Sequence, residues 1–375
     1  MSFSLGQAYR LTVYGQSHAN AIGVVIDGLP AGIPFPHSSI QQALSRRRPG
    51  QAAWTTSRRE ADLFTVKSGI VNDRTCGAPV CLEIVNQDVR SQDYDQHLNL
   101  PRPSHADYPA QVKYQHYFDH RGGGHFSGRM TAPLVMAGAL AQSLLAKLNV
   151  QVYGHIVSIA NLKDQAVDPV NPDINHLSQV KSKTFPVLDD VKGQAMQDLI
   201  LEAKADQDSV GGQVEIIVTG LPVGLGRPLY DSCESKLAHA MFGIPAIRGI
   251  EFGTGFPAAM MRGSQHNDDY RLGDHGQIKT VTNHHGGIIG GLTTGMPLIF
   301  RLAVKPTSSI GKSQQTVDLQ NKKEQSLLIQ GRHDPCIVPR VLPVVEAMTA
   351  VCLLDLLMLE NALNLDILRE GSAHD

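Results

Sequence analysis

The stretch Val24-Val25-Ile26-Asp27-Gly28-Leu29-Pro30-Ala31-Gly32 returns 192 residues later as Ile216-Ile217-Val218-Thr219-Gly220-Leu221-Pro222-Val223-Gly224. Each copy starts as a β-branched strand and stops at Gly-Leu-Pro, residues that punctuate a strand end. A second match, at an offset of 218, relates Gly69-Ile70, Thr75, Gly77 and Pro79-Val80 to Gly287-Ile288, Thr293, Gly295 and Pro297-Leu298. Each half then reaches a turn carrying His and Asp, Ser104-His105-Ala106-Asp107 and Arg332-His333-Asp334-Pro335. A long apolar helix pattern follows in each, near 128–147 and 340–361. A period of half the chain is too long for a solenoid. The expectation is two similar halves, each of grouped strands plus one long helix, around a shared core, which is an α+β class. One domain would span 1–375, duplicated over about 6–150 and 210–362, with the polar residues 164–190 as a peripheral insert.

Strands are expected at 11–14, 22–26, 63–70 and 79–85, and a short helix capped by Ser38 or Ser39 runs to Leu44. Residues 86–112 read as a long loop, 191–203 as a surface helix, and the very polar 262–280 as a mobile loop beside the site. The most apolar window, 341–359, contains Pro343, Glu346 and Asp355 and suits a buried helix better than a membrane span.

Of the 375 residues, 42% are hydrophobic and 18% charged, an ordinary globular balance, and the net charge of −2 creates no field for nucleic acid or an anionic membrane. Any anionic ligand must be held by local basic clusters. Trp54 is the single Trp, so a base-stacking platform is not expected. Five cysteines without a CxxC read as free thiols of a reducing compartment, and the N-terminus lacks a signal core, so the protein reads as cytoplasmic.

Several turns suit anions. Arg121-Gly122-Gly123-Gly124-His125-Phe126-Ser127-Gly128-Arg129 feeds a helix start, where glycines permit φ > 0 and free N–H groups favour phosphate; a plain surface turn would read the same way. Arg46-Arg47-Arg48 is either a solvated helix end or a clamp for carboxylate or phosphate. Lys305-Pro306-Thr307-Ser308-Ser309 is either a strand-end turn or a phosphate contact. His116, His120 and His125 find no carboxylate or Cys to complete a ligand set, so no metal is expected. His18, His105 and Asp334 lie in turns where titratable groups reach a ligand. The residues by themselves lead to an enzyme of phosphorylated anions that moves protons with histidine, and no further.

These segments together, in this order, resemble the chorismate synthase family. The matching stretches are Gly15-Gln16-Ser17-His18, 27–32, 46–50, 102–108, 121–132, 239–249, 263–268, 283–291, 305–310 and 331–340. The resemblance implies antiparallel sheets sandwiching long central helices in two pseudo-symmetric halves, and a homotetramer. It implies 1,4-anti-elimination of phosphate from 5-enolpyruvylshikimate 3-phosphate to give chorismate, with reduced FMN and no net redox change, on the shikimate route to aromatic amino acids. By the same resemblance His105 would protonate or stabilise the reduced flavin, and His18 would assist phosphate departure. Asp334, with Ser17, would help move the ring proton. Arg47, Arg102, Arg129 and Arg332 would bind substrate anions. His125, Phe126, Ser127, Pro245, Ala246, Gly290, Lys305, Pro306, Thr307, Ser308, Ser309 and Arg332 would contact FMN. NADPH enters as an indirect reductant in some members, and others rely on an external flavin reductase. Three departures stand out: Gln16 where Glu is usual, His125 in place of Arg, and Ala53 where many members carry Arg. The rival readings are a flavin reductase, which the lack of a Rossmann fingerprint opposes, and a degenerate FMN binder.

Overall fold

A computed structural model describes the chain except residues 1–2, 51, 56–60, 87–98, 116, 275, 330, 332, 361–367 and 370–375. The first half builds a five-stranded antiparallel sheet from β1 (Ser4–Leu5), β2 (Arg10–Gly15), β3 (Ala21–Asp27), β4 (Phe64–Ser68) and β5 (Val80–Val85). Its strand order is β1-β2-β3-β5-β4. The second half builds another from β6 (Gln151–Ile159), β7 (Leu162–Lys163), β8 (Gly212–Thr219), β9 (Ile247–Phe252) and β10 (Leu298–Val304), ordered β7-β6-β8-β10-β9. Four consecutive positions therefore match, counted from the same edge: β2-β3-β5-β4 against β6-β8-β10-β9. Helix α1 (His37–Arg47) leaves β3 as α6 (Cys233–Phe242) leaves β8, and the long helices α3 (Thr131–Lys147) and α7 (Val338–Leu359) close each half. The class is α+β, two pseudo-symmetric halves with antiparallel sheets enclosing the long helices.

The repeated motif has a physical basis. The Thr75 hydroxyl donates to the Pro30 carbonyl (2.6 Å) and accepts from the Ile33 N–H (2.9 Å). The Thr293 hydroxyl donates to Pro222 O (2.5 Å) and accepts from Leu225 N–H (2.9 Å). In each half one threonine on a short hairpin pins the Gly-Leu-Pro turn at the end of a strand.

Alternation places Ile22, Val24, Ile26, Val80, Leu82 and Ile84 on the inner face of the first sheet, and Val214, Ile216, Leu298, Phe300 and Leu302 on that of the second, all buried. Between them α3 and α7 are apolar nearly all round, as helices buried on both sides must be. They touch closely at Gly138, where an added Cβ would lie 2.2 Å from that of Ala347. Helix α7 is long and apolar enough to cross a membrane, but 94% of its most apolar window is buried inside the protein. Its two mid-helix carboxylates are both used. Glu346 pairs bidentately with Arg46 (2.5 and 3.0 Å). Asp355 accepts the N–H groups of Gln7, Ala8 and Tyr9 at 2.7–2.9 Å.

The structure corrects several local expectations. The stretch expected as loop to 112 ends in a helix, α2 (Asp107–Tyr114). The insert contains α4 (Ile174–Lys181), whose Leu177 packs with Tyr153, Ile217 and Ile299 on the outer face of the second sheet. The surface helix is α5 (Asp190–Ala205), capped by Asp189. Helix α1 starts at His37 without a side-chain cap, so neither Ser38 nor Ser39 serves as one. The 262–280 region is a short helix, Gly263–His266, and a hairpin, Tyr270–Leu272 with Ile278–Thr280. All five cysteines are free.

Candidate active site

Two connections occupy the same topological place: 86–130 from β5 to α3, and 305–337 from β10 to α7. They meet each other and the turn after α6 around a cavity of about 760 Å³, within the range of small-molecule sites. Its wall includes His18, Arg102, His105, His125, Phe126, Ser127, Pro245, Ala246 and the whole turn Lys305–Ser309.

His105 joins the two connections. Its Nδ1 donates to the Pro103 carbonyl (2.9 Å), which can only accept, so in the neutral ring Nε2 is the acceptor of the Ser309 hydroxyl (2.9 Å). The Ser308 hydroxyl donates to Ser104 O (3.3 Å), and Lys305 Nζ donates to the Ser308 hydroxyl. Burial, with Arg102 next, pushes the His105 pKa down to about 4. Arg102 is clamped by Asp107 at the start of α2 through Nε (2.7 Å) and Nη2 (2.8 Å). Among the described residues the buried Thr307 hydroxyl has no hydrogen-bond partner.

The glycine run supports the opposite wall. Gly122, Gly123 and Gly124 all have positive φ, and a Cβ on Gly122 would sit 2.2 Å from the His18 ring. Gly124 O accepts the Ser17 N–H (3.2 Å), and Ser17 Oγ lies 3.2 Å from His18 Nδ1. The run thus receives the buried His18 and Ser17 against the cavity, and α3 starts only at Thr131. Burial and Lys113 lower the His125 pKa, so the departure from Arg leaves a neutral ring.

Other expected residues stand elsewhere. Arg47 and Arg129 lie behind the described wall, both held by buried Asp62. Arg47 Nη1 reaches Asp62 Oδ2 (3.0 Å), and Arg129 Nη1 pairs with Oδ1. Arg47 also donates to Thr131 Oγ1 (3.0 Å) and to the carbonyl of Gly128 (2.9 Å), a cavity-lining residue. Burial drives the Arg47 pKa down to about 9, Asp62 opposing and Arg340 and Arg129 assisting. Burial works against the Asp62 carboxylate, yet Arg47 and Arg129 hold it below its ordinary range. Asp334 is ion-paired with Arg340, whose Nε donates to Arg47 O (3.1 Å). Gly290 is not brought to the cavity. It sits in the turn of the Ile288–Ile289/Leu292–Thr293 hairpin, whose Gly291 O accepts the Cys233 N–H (3.0 Å) at the start of α6. Only the far end of that helix, about 15 Å away, reaches the cavity at Phe242. The 262–280 segment contributes no described residue to the wall, so its placement beside the site is corrected. Arg332 lies outside the described residues.

The residue reading passed over His333 and Arg248, which line the cavity, and weighed His120 only as a metal ligand. The repeated His–Asp turn was the available signal for His333. Among the described residues no group of three or more His, Cys, Asp or Glu is placed to hold a metal ion.

The chorismate synthase family profile matches residues 9–358. A chorismate synthase of Dehalococcoides mccartyi is 45% identical over 356 residues, 95% of this chain and 96% of its own length. One from Methanocaldococcus jannaschii is 40% identical over 361 residues, 94% of this chain and 95% of its own. A crystal structure of chorismate synthase superposes with a TM-score of 0.75 at 26% identity, covering 95% of this chain and 93% of that one. A cationic cavity closed by two equivalent connections, on a fold and a sequence shared over nearly the whole chain, has one consistent source: the chain belongs to the chorismate synthase family.

Proposed function

We propose that the cavity holds 5-enolpyruvylshikimate 3-phosphate beside reduced FMN and eliminates phosphate 1,4-anti to give chorismate, with no net redox change. Family membership makes the protein a carbon–oxygen lyase of aromatic biosynthesis. The observation that carries the finer reading is the joint between the two connections. There His105, Lys305, Ser308 and Ser309 form one hydrogen-bonded wall beside the unpartnered Thr307 hydroxyl. An unsatisfied hydroxyl among a cation and two further hydroxyls suits the polar edge or phosphate of a flavin nucleotide, so the residues fit FMN. His125, Phe126, Ser127, Pro245 and Ala246 would complete that contact.

Bound reduced FMN would supply transient electron donation to the breaking C–O bond. The chain's residues do the rest. Arg102 and the cationic wall hold substrate anions, while Arg47 and Arg129 bias the field from behind. His105, held neutral by burial and Arg102, gains basicity when a bound anion offsets Arg102. His18, buried on the glycine platform, donates a proton to the departing phosphate. Asp334, with Ser17, helps the ring proton to leave. Each transfer is worth on the order of 10²–10⁴ in rate. The same reading gives one domain that arose by internal duplication, a cytoplasmic homotetramer, and flavin reduced with NADPH or by a separate reductase.

The test is an anaerobic assay with 5-enolpyruvylshikimate 3-phosphate and chemically reduced FMN. Stoichiometric chorismate and phosphate without net flavin oxidation are expected. Tight FMN binding with no product would leave a flavin binder instead.

A further inference from the structure

Two imidazoles face the cavity from equivalent connections, His105 before α3 and His333 before α7. His105 is anchored through Nδ1 to the Pro103 carbonyl, and the Ile329 backbone stands against the His333 ring and favours its protonated form. Anchoring one nitrogen as a donor fixes the tautomer and leaves the other with a bare lone pair. There the two part. His105 Nε2 accepts the Ser309 hydroxyl, whereas His333 Nε2 is buried without a hydrogen-bond partner among the described residues.

A bare buried acceptor is costly, and its missing partner can come from the cavity. The charged groups facing His333 are Arg102 and Asp334, with Lys305, Arg248 and His105 elsewhere on the same wall. Burial and Arg102 lower the His333 pKa, Ile329 and Asp334 pulling the other way. The wall's cations select an anion. A phosphate monoester offers acceptor oxygens and almost no donor at neutral pH. An imidazole lone pair can meet such an oxygen only by first becoming N–H.

We propose that His333 binds a phosphate oxygen of the ligand through Nε2 and takes up one proton from solvent as it does so. It is the second half's counterpart of His105. This rests on the phosphorylated-ligand reading above, and the phosphate is that of the substrate or of the flavin nucleotide. Low pH then strengthens binding, because the proton is part of the complex.

Calorimetric titration in buffers of different ionisation enthalpy counts the protons. One arm adds FMN to the free protein, and the other adds 5-enolpyruvylshikimate 3-phosphate to the FMN-loaded protein. H333N keeps a donor for Ile329 but deletes Nε2. H333Q places an amide near Nε2 that cannot take a proton, and serves if H333N does not fold. Near pH 7 both variants should take up roughly half a proton or more fewer than the wild type in one arm, which identifies the source. In that arm their affinity should fall about tenfold at pH 6 and approach the wild type at pH 8.5. Equal proton counts in both arms, or a loss of affinity independent of pH, would overturn the role of His333 and leave the cavity reading intact. A wild type that binds neither compound would overturn both.

Discussion

The connection from β5 to α3 and the one from β10 to α7 hold the same place in the two halves, but not the same chemistry. The first contributes an anchored His105, a clamped Arg102 and a glycine run closed onto His18. The second contributes a cation, three hydroxyls and a His333 whose Nε2 finds no hydrogen-bond partner among the described residues. By contrast, Thr75 and Thr293 make the same two bonds to the same two places. Repetition is kept where it secures the strands and abandoned where a ligand must tell one side of the cavity from the other. An unsymmetrical substrate cannot be processed by a symmetric wall.

The widest expected difference is between the two imidazoles. His105→Ala should lower turnover by about 10²–10⁴ while leaving oxidised FMN bound to within a few-fold; steady-state kinetics with wild-type turnover would remove His105 from the chemistry. Next comes the anion behind the wall. Asp62→Ala leaves Arg47 and Arg129 as buried cations without their shared carboxylate and should cost about 3–5 kcal/mol of stability, read by urea denaturation. A change under 1 kcal/mol would mean the arginines find other partners. Thr75→Val and Thr293→Val should each cost about 1–3 kcal/mol, the two agreeing within roughly 0.5 kcal/mol; a large inequality breaks the equivalence of the halves. The smallest effect is on pH dependence. His105, with a pKa lowered to about 4, costs stability as pH falls below the unfolded value near 6.5 and on towards 4. His155, between Asp164 and Glu215 on the outer face of the second sheet, is raised to about 9 despite burial. It stabilises fully below pH 6.5 and loses that contribution as pH rises through 9. Urea midpoints against pH should show H105Q flattening the acid limb and H155Q the alkaline one; a limb unchanged by its variant would sink that assignment.

Most strands of the first sheet and the two long helices were legible because burial dictates their composition, alternating apolar residues facing one layer and continuous apolar residues between two; Gln151–Ile159 and Ile247–Phe252 were not. Helices α2 and α4 were hidden, since each buries only one or two side chains, Ala110 in one and Leu177 and Val180 in the other. His105 and the 305–309 turn were found through residue type and motif. The employment of Arg47 was not, because its partner Asp62 lies fifteen residues on and only the fold brings them together. The glycine run announced a close approach, but not that the approaching group is the His18 ring. Gly290 matches by motif, and the fold sets it at the end of α6 opposite the cavity.

Asp355 has a consequence for how the chain comes into being. It collects three N–H groups from residues 7–9, across 346 to 348 positions of sequence. During synthesis the entrance to β2 has no such acceptor until the last helix has left the ribosome. The first sheet emerges early with α3 to cover its inner face, but its first strands cannot be latched until the helix carrying Asp355 has also been made. Such long-range closure slows folding and lengthens the exposure of apolar surface. A chain truncated before Asp355 would lose the latch of its first strands together with the last turn of α7.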